Sequence, residues 1–260
     1  MEIVQRQGFA SLEQLSSELD VSESTVRRDL AVLEKTGKAR RTHGGVFYTG
    51  TQPHVSHFRQ HQQRGGARKR AIARAAAALV QDGDTLLLDG GSTAFELAQQ
   101  LIGRDLQIVT NSLPVVNLLS QTDTTDVIVL GGFVHSRTGV VLGPYAQQML
   151  EHVHCRWAFI GVAGLDSDSL FNSNQLLVET ERAMMTSADQ VCVLADSTKF
   201  GQKGMTYLCD WEPIDHVIVD SELNAQWRER LQGLTDIVIG EIQEETTSTA
   251  DETSGPTRNR

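Results

Sequence analysis

Five short polar and glycine-rich clusters carry the residue types that could do chemistry in this chain. They are Asp89-Gly90-Gly91-Ser92-Thr93, Thr110-Asn111-Ser112, Gly131-Gly132, the stretch from Gly161 to Asp166, and Asp196-Ser197-Thr198-Lys199. The first sets a carboxylate, two glycines and two hydroxyls in a row. A glycine turn that opens a helix presents free backbone N–H groups at the positive end of the helix dipole, which suits a phosphate. A single turn of this kind can also serve only to let the backbone bend; five polar clusters in one stretch point to a ligand. From residue 76 onward the only lysines are Lys199 and Lys203, both in one short loop, with Arg137 as a second source of positive charge. An anion bound in an otherwise acidic region needs such a local supply. Asp89, Asp166, Glu179 and Asp196 could act as general bases, and Lys199 could polarise a carbonyl. No nucleophile elbow, Walker lysine or HExxH pattern accompanies them. Cys155, beside His152 and His154, comes just before an apolar run and reads as structural.

The elements that must position these clusters alternate between two patterns. An Ala-rich helix over Lys69–Val80 precedes a strand at Thr85–Asp89, then a helix over Thr93–Ile102 and a strand at Gln107–Asn111. A helix follows Pro114. Strands are expected at Val127–Leu130, Trp157–Val162, Val191–Ala195, His216–Asp220 and Asp236–Gly240. Helices are expected over Leu176–Ala188 and from a Ser221 cap to about Leu231. Continuous apolar runs alternating with helices predict an α/β fold with a mostly parallel sheet covered on both faces. In such sheets ligands sit at the carboxyl ends of the strands, where all five clusters fall.

The N-terminal segment follows a different plan. Ser11 and Gln14 have capping-box spacing, and Leu12, Leu15 and Leu19 form one stripe, so a helix should start at Leu12. After Asp20-Val21, Ser22 caps a second helix, roughly Glu23–Lys35, with Val26, Leu30 and Leu33 on its buried face. Ser24, Thr25, Arg27 and Arg28 lie off that stripe on its first turns. Two short helices with hydroxyls and arginines at the start of the second make helix-turn-helix geometry. The following Lys38–Tyr48, with Arg40, Arg41 and His43 ahead of two glycines, reads as a β-wing. Residues 49–68 read as a linker; its His54, His57 and His61 fit a solvated segment better than a metal site, since no Cys or carboxylate sits nearby. The chain thus divides into 1–48, 49–68, 69–240, and a Thr-, Glu- and Ser-rich tail, 241–260, expected to be disordered.

Charge follows the same division. The chain of 260 residues has a formal net charge of −10. Residues 1–75 hold 13 Lys+Arg and 7 Asp+Glu, while the rest hold 10 and 26. A basic head on an acidic body predicts a polyanion partner for the head alone. Three widely spaced cysteines without a CxxC pair speak against a disulfide or zinc framework and for a reducing, cytoplasmic compartment. No apolar run approaches the ~20 residues that span a bilayer, and the N-terminus has no signal-peptide core. No cofactor or metal motif is present.

The run VSESTVRRDLAVLEKTGKARRTHGG, Val21–Gly45, resembles the N-terminal signature of DeoR-type bacterial transcriptional regulators. The later landmarks follow in the family's order: KRAIARAAAALVQDGDT from Lys69, LDGGST at Leu88–Thr93, TNS at Thr110–Ser112, LGG at Leu130–Gly132 and ADSTKFG at Ala195–Gly201. The resemblance implies a winged helix-turn-helix joined to a sensor domain similar in fold to ribose-5-phosphate isomerase and CoA transferases. It implies a homo-oligomer, dimer or tetramer, that represses carbohydrate genes and responds to a phosphorylated sugar. Ser22, Ser24, Thr25, Arg27, Arg28, Arg40, Arg41 and His43 would contact double-stranded operator DNA. Asp89 to Thr93 would hold the phosphate, with Thr110, Asn111, Gly131, Gly132, Asp166, Glu179, Asp196 and Lys199 completing the effector site. Family members carry more residues ahead of the position of Glu2, completing a supporting helix. With Met1–Gln7 there, the expectation is either a start assigned too far downstream or a less stable head. The competing class is a sugar-phosphate isomerase-like enzyme with a basic N-terminal arm, which would have no need of a complete helix-turn-helix.

Overall fold

In β4 (Thr85–Leu88), Leu86 and Leu88 face one hydrophobic layer and Leu87 the other, all fully buried. A strand can bury both faces only if helices cover both sides of its sheet. The computed structural model of the protein has that arrangement; it describes residues 9–19, 21–35, 39–41, 45–48, 62 and 64–243. The chain divides into a first unit up to His61 and a second that holds most of the chain from Gln62 onward.

The first unit opens with β1 (Phe9–Ser11), α1 (Leu12–Leu19) and α2 (Glu23–Lys35), followed by β2 (Ala39–Arg41) and β3 (Gly45–Tyr48). Strands β1, β3 and β2 form an antiparallel sheet in that order. Leu15, Val26, Leu30 and Val46 are buried together, with Leu12 and Leu33 packed against them. Ser22 Oγ accepts from the Thr25 N–H at 3.3 Å, capping α2 as its sequence predicts. Leu19 departs from the expected stripe. It is the last residue of α1 and is 51% exposed. The expected wing is the β2–β3 hairpin, and β1 joins it from ahead of α1, a strand too short to carry a periodic signal.

In the second unit, seven parallel strands lie in the order β15-β14-β12-β9-β4-β5-β6. These are β4, β5 (Leu106–Thr110), β6 (Thr125–Val129), β9 (Cys155–Gly161), β12 (Ala188–Leu194), β14 (His216–Asp220) and β15 (Asp236–Gly240). One face packs on α3 (Gly66–Ala77), α4 (Ser92–Gln100) and α5 (Leu113–Leu119), through Ile72, Ala76, Leu97 and Leu119. The other packs on α6 (Pro144–Leu150), α7 (Gln175–Thr186) and α8 (Ala225–Leu231), through Leu150, Val178, Met184 and Leu231. Every expected strand and helix of this unit is present, with ends displaced by a few residues. The chain winds from β4 to β6 in one direction, then crosses to β9 on the other side of β4. The switch point of the sheet therefore lies between β4 and β9, and ligands bind at the carboxyl side of such a point.

Several elements were not expected. A hairpin of β7 (Phe133–His135) and β8 (Val140–Leu142) follows β6, and α6 follows the hairpin. Strands β10 (Gly164–Leu165), β11 (Ser169–Asn172) and β13 (Thr206–Asp210) form a small antiparallel sheet beyond the carboxyl end of β9. Two helix starts also differ. Helix α3 begins at Gly66 after Gly65 in the left-handed region (φ 65°), ahead of the expected Lys69. Helix α8 is capped by Asn224, whose side chain accepts from the Trp227 N–H at 2.9 Å, while the N–H of the expected cap, Ser221, goes to the Gly240 carbonyl. An Asn ahead of the helix outcompetes a Ser three residues earlier because only the later one starts the observed turn.

Gly240 shows how tightly α3 lies on the sheet. A Cβ there would come within 2.4 Å of the Ala71 carbonyl oxygen and 2.9 Å of the Ile72 nitrogen, both backbone atoms. Neither can swing aside as a side chain would. Gly240→Ala is expected to lower stability by about 1–3 kcal/mol, the usual cost of overpacking, seen as a lower midpoint in thermal melts. An unchanged midpoint would refute the close seating of α3.

Candidate ligand site and recognition helix

The carboxyl ends of β4 and β9 meet at three glycines. The Cα atoms of Gly91 and Gly161 lie where a side chain on either would meet the other at 3.9 Å. A Cβ on Gly90 would strike Val140 Cγ1 at 1.8 Å. At Gly90 the Val140 side chain of β8 leaves no room for a Cβ, while Gly91 and Gly161 lie at ordinary contact distance of one another. Asp89, just past β4, points into this junction. Its N–H donates to the Phe159 carbonyl, and its Oδ2 accepts from the Gly161 N–H at 3.2 Å.

Asp89 and Asn111, at the ends of adjacent strands, are both buried, 3% and 0% exposed. Asp89 Oδ1 and both amide atoms of Asn111 are out of contact with solvent and make no hydrogen bond of ordinary geometry among the described residues. Such groups cost about 1–3 kcal/mol each when left unpaired, so their clustering singles out this junction as the candidate site. Burial raises the Asp89 carboxyl above its usual range; the N–H groups of Gly90 and Gly161 and the nearby Asn111 amide oppose that rise by favouring the charged form.

Next to Asp89, α4 starts at Ser92 after Gly91. The first-turn N–H groups have no side-chain cap, and Thr93 is buried beside them. Asp196, 8% exposed, follows β12, and its Oδ1 accepts from the N–H and hydroxyl of Thr198. This fixes the one-turn helix Ser197–Lys199 and sets Lys199 half-buried at its end. A second lysine joins it. Lys69 of α3 is 5% exposed, donates to the Arg64 carbonyl at 2.6 Å, and has its pKa lowered, first by burial and then by Lys199, against the pull of Asp196 and Glu96.

The other expected residues divide. Thr110 is fully buried, but its hydroxyl bonds the Leu88 carbonyl at 2.7 Å and accepts from the Ser112 N–H at 3.0 Å, so it ties β5 to β4. Gly131 and Gly132 follow β6 on the surface; a Cβ on Gly132, at φ 145°, would meet the Leu142 carbonyl at 2.7 Å. They serve the return of the chain into β7. Asp166 shapes the β10–β11 turn, accepting from the Asp168 and Ser169 N–H groups, and pairs with Lys203 at 2.9 Å. Lys203 above all holds its carboxyl below the usual range. Glu179 faces solvent and accepts from Gln175 at 3.0 Å. The inward acid of α7 is Glu181, fully buried and held by Asn172. Sequence reasoning missed Glu181, Asn172 and Lys69. Helical spacing carried the signal for Glu181, which is three residues from both Val178 and Met184 on the buried face. The thiols are inert: burial pushes Cys155 up to about 11 and Cys209 up to about 12.

In the first unit, the start of α2 presents Ser24 and Arg28 to solvent, with Thr25 half-buried. Ser22, Ser24 and Thr25 share hydroxyl contacts at 2.8 and 3.0 Å. Arg27 is paired to Glu23 at 3.1 Å, one turn back; Arg28 has no ion-pair partner among the described residues. Arg40 and Arg41 lie in β2, and the expected His43 lies outside the described residues. Among the described residues, no helix is long and apolar enough to cross a membrane.

Comparison with known proteins matches both units. Residues 1–52 match the DeoR-like helix-turn-helix domain, and residues 65–221 the DeoR C terminal sensor domain. The chain is 29% identical over 233 residues to the HTH-type transcriptional regulator UlaR of Shigella dysenteriae serotype 1, covering 89% of this chain and 92% of that one. It is 31% identical over 225 residues to the uncharacterized HTH-type transcriptional regulator YulB of Bacillus subtilis, covering 86% and 87%. Among solved structures it is similar to ribose 5 phosphate isomerase A from Neisseria gonorrhoeae, with a TM-score of 0.39, 17% identity, and 51% and 52% of the two chains covered.

The unpaired Asn111 amide gives a test that needs no ligand. Asn111→Leu keeps the volume and removes the polar atoms together with their support of the Asp89 charge, two opposing effects, so stability in chemical denaturation is expected to change by no more than about 1 kcal/mol. A loss of about 2 kcal/mol or more would show that the amide is bonded in the free protein.

Proposed function

The chain belongs to the DeoR family of helix-turn-helix transcriptional regulators, and from that premise we propose that it is a repressor of carbohydrate-metabolism genes released from its operator by a phosphorylated sugar. Residues 1–48 form the DNA-binding head, 49–68 the linker, 69–240 the effector-sensing domain and 241–260 an acidic tail. The head reads the major groove with the first turns of α2. Arg28 and Thr25 reach base edges or flanking phosphates, with Ser22, Ser24 and Arg27 beside them and Arg40, Arg41 and His43 on the wing. The protein acts as a homo-oligomer whose paired heads meet half-sites spaced by helical turns.

The observation that carries the effector reading is the set of unpaired buried atoms on Asp89 and Asn111 at the switch point of the sheet. Sugar hydroxyls would satisfy them, while the phosphate takes the free N–H groups of α4 with Lys199 and Lys69 as counter-charges. Those atoms lie beneath Val140, so the sugar enters as β8 gives way. Movement of this hairpin is the step by which occupancy changes the sensor. The sensor binds without turnover, and the regulator names of the relatives weigh against the isomerase alternative.

Two outcomes are expected. In gel shifts on DNA upstream of its own gene, Arg28→Ala costs about 1–3 kcal/mol of affinity and lowers the salt slope by about one; binding indifferent to both salt and Arg28 would rule the DNA reading out. In thermal-shift screens of pentose and hexose phosphates, at least one stabilises the full chain, since a ligand of the folded state must do so. Lys199→Gln abolishes that shift while leaving the ligand-free melt in place. A screen without any stabilising sugar phosphate would count against the effector class.

A further inference from the structure

Glu181 lies at the centre of the second unit and belongs to none of the motifs that describe the effector site. Its side chain is fully buried on α7. Oε1 accepts from Asn172 Nδ2 at 2.6 Å, and Oε2 has no hydrogen-bond partner among the described residues. The same Asn172 nitrogen donates to the Gly161 carbonyl at 3.1 Å, and the Gly161 N–H donates to Asp89 Oδ2 at 3.2 Å. A continuous line of hydrogen-bonded groups therefore runs from α7, through the end of β11 and the end of β9, to the ligand-facing carboxyl at the end of β4. Asn111, buried and unpartnered, stands at the far end of that line.

Two carboxyls this close in a dry site do not both ionise readily. Their surroundings decide which keeps the proton. Asp89 has the Gly90 and Gly161 N–H groups and the Asn111 amide to favour its charge. Glu181 has the Asn172 amide alone, against full burial and the charge of Asp89. The remaining groups around it do not change the balance. Cys209 of β13 stays a neutral thiol. Arg182, next in the chain, turns to the Leu208 and Tyr207 carbonyls and lies 5.5 Å from the Tyr207 ring. Asp210 of β13 accepts from the Ser169 hydroxyl.

We propose that Glu181 is a positioning residue of the effector site, one that keeps the proton of the buried pair and, through Asn172 and the Gly161 peptide, holds Asp89 as an ionised acceptor for the ligand's hydroxyls. It rests on the reading of Asp89 as a ligand-facing group, and it names the residue that sets the chemistry of that group. The effector recognised is then a polyol that donates hydrogen bonds, and a ligand that brings a second carboxylate to Asp89 is refused.

Chemical denaturation of the full chain at a series of pH values tests this without any sugar. A carboxyl whose pKa is raised in the fold contributes stability that is present below its unfolded pKa and lost as pH rises through the folded value. Wild-type stability is therefore expected to fall from the ordinary glutamate range upward. Glu181→Gln keeps the acceptor for Asn172 and removes the proton, so it should delete the part of the fall at higher pH and leave the smaller, more acidic part belonging to Asp89. Asp89→Asn should move the Glu181 part to lower pH, because the neighbouring charge is gone. The double variant should be flat across both. A protonated-carboxyl infrared band at neutral pH, present in wild type and missing from Glu181→Gln, gives the same answer independently of folding energetics. A Glu181→Gln profile that retains the high-pH fall, or a Glu181 step unmoved by Asp89→Asn, would overturn the proposal. Neither result depends on a sugar, so the effector reading stands or falls separately, on the Lys199→Gln thermal shift.

Discussion

The close approach of β4 and β9 at their carboxyl ends constrains everything around the ligand site. Leu88 pairs with Phe159, and one residue further on the Asp89 N–H reaches the Phe159 carbonyl while the Gly161 N–H reaches Asp89 Oδ2. Gly91 and Gly161 both lie beside the Asp89 carboxyl, which is 3% exposed, and Val140 packs against the neighbouring Gly90. Backbone N–H groups are the natural partners for an acid so placed, and two of them are supplied. What backbone cannot supply is a partner for the second oxygen or for the Asn111 amide. The site is built with part of its hydrogen bonding left for something else to complete.

How much of this was legible in the sequence depends on the length scale of each signal. The long periodic segments were: β14 and β15 fall at His216–Asp220 and Asp236–Gly240 as expected, and α2 runs Glu23–Lys35. The glycine turn after β4 was legible because an acid, two glycines and two hydroxyls together have few other uses. The residues between Leu165 and Gln175 were not. Strands β10 and β11 are two and four residues long and pair with each other, with β13 and, through Leu165, with Phe200, so their pattern depends on partners far along the chain. That is why the turn that Asp166 shapes, and the inward Asn172, left no signal in the sequence. Glu179 and Glu181 show the same limit at the scale of one helix. Two acids two residues apart point to opposite sides, and only the apolar neighbours of α7 say which side is inward.

The split of charge between the units has a counterpart inside the sensor. A net charge of −10 would repel a phosphorylated ligand at long range. Near the site the balance is different. Lys199 and Lys69 stand by Asp196, and the open first turn of α4 adds its own partial positive charge. Arg68, which could have joined them, is instead committed to Glu222 and Asp220. Local charge around Asp196 and α4 thus departs from the net charge of the chain.

A ligand can shift a protein between states only by as much as it prefers one of them. In the proposed mechanism that preference has an identifiable source. The free sensor carries unsatisfied polar atoms at Asp89 and Asn111 beneath Val140, and a bound polyol satisfies them only if β8 yields. The β7–β8 hairpin is where that yielding would be felt. It is tied to the main sheet near the site by the Val141 N–H to the Asn111 carbonyl and the Ser112–Val140 bridge, and its Phe133 and Val134 face solvent. The same residue, Asn111, therefore anchors the cover through its backbone and invites the ligand through its side chain. Binding and the movement that reports it act on one position, so the energy gained by the amide is available to shift the strand bonded to it.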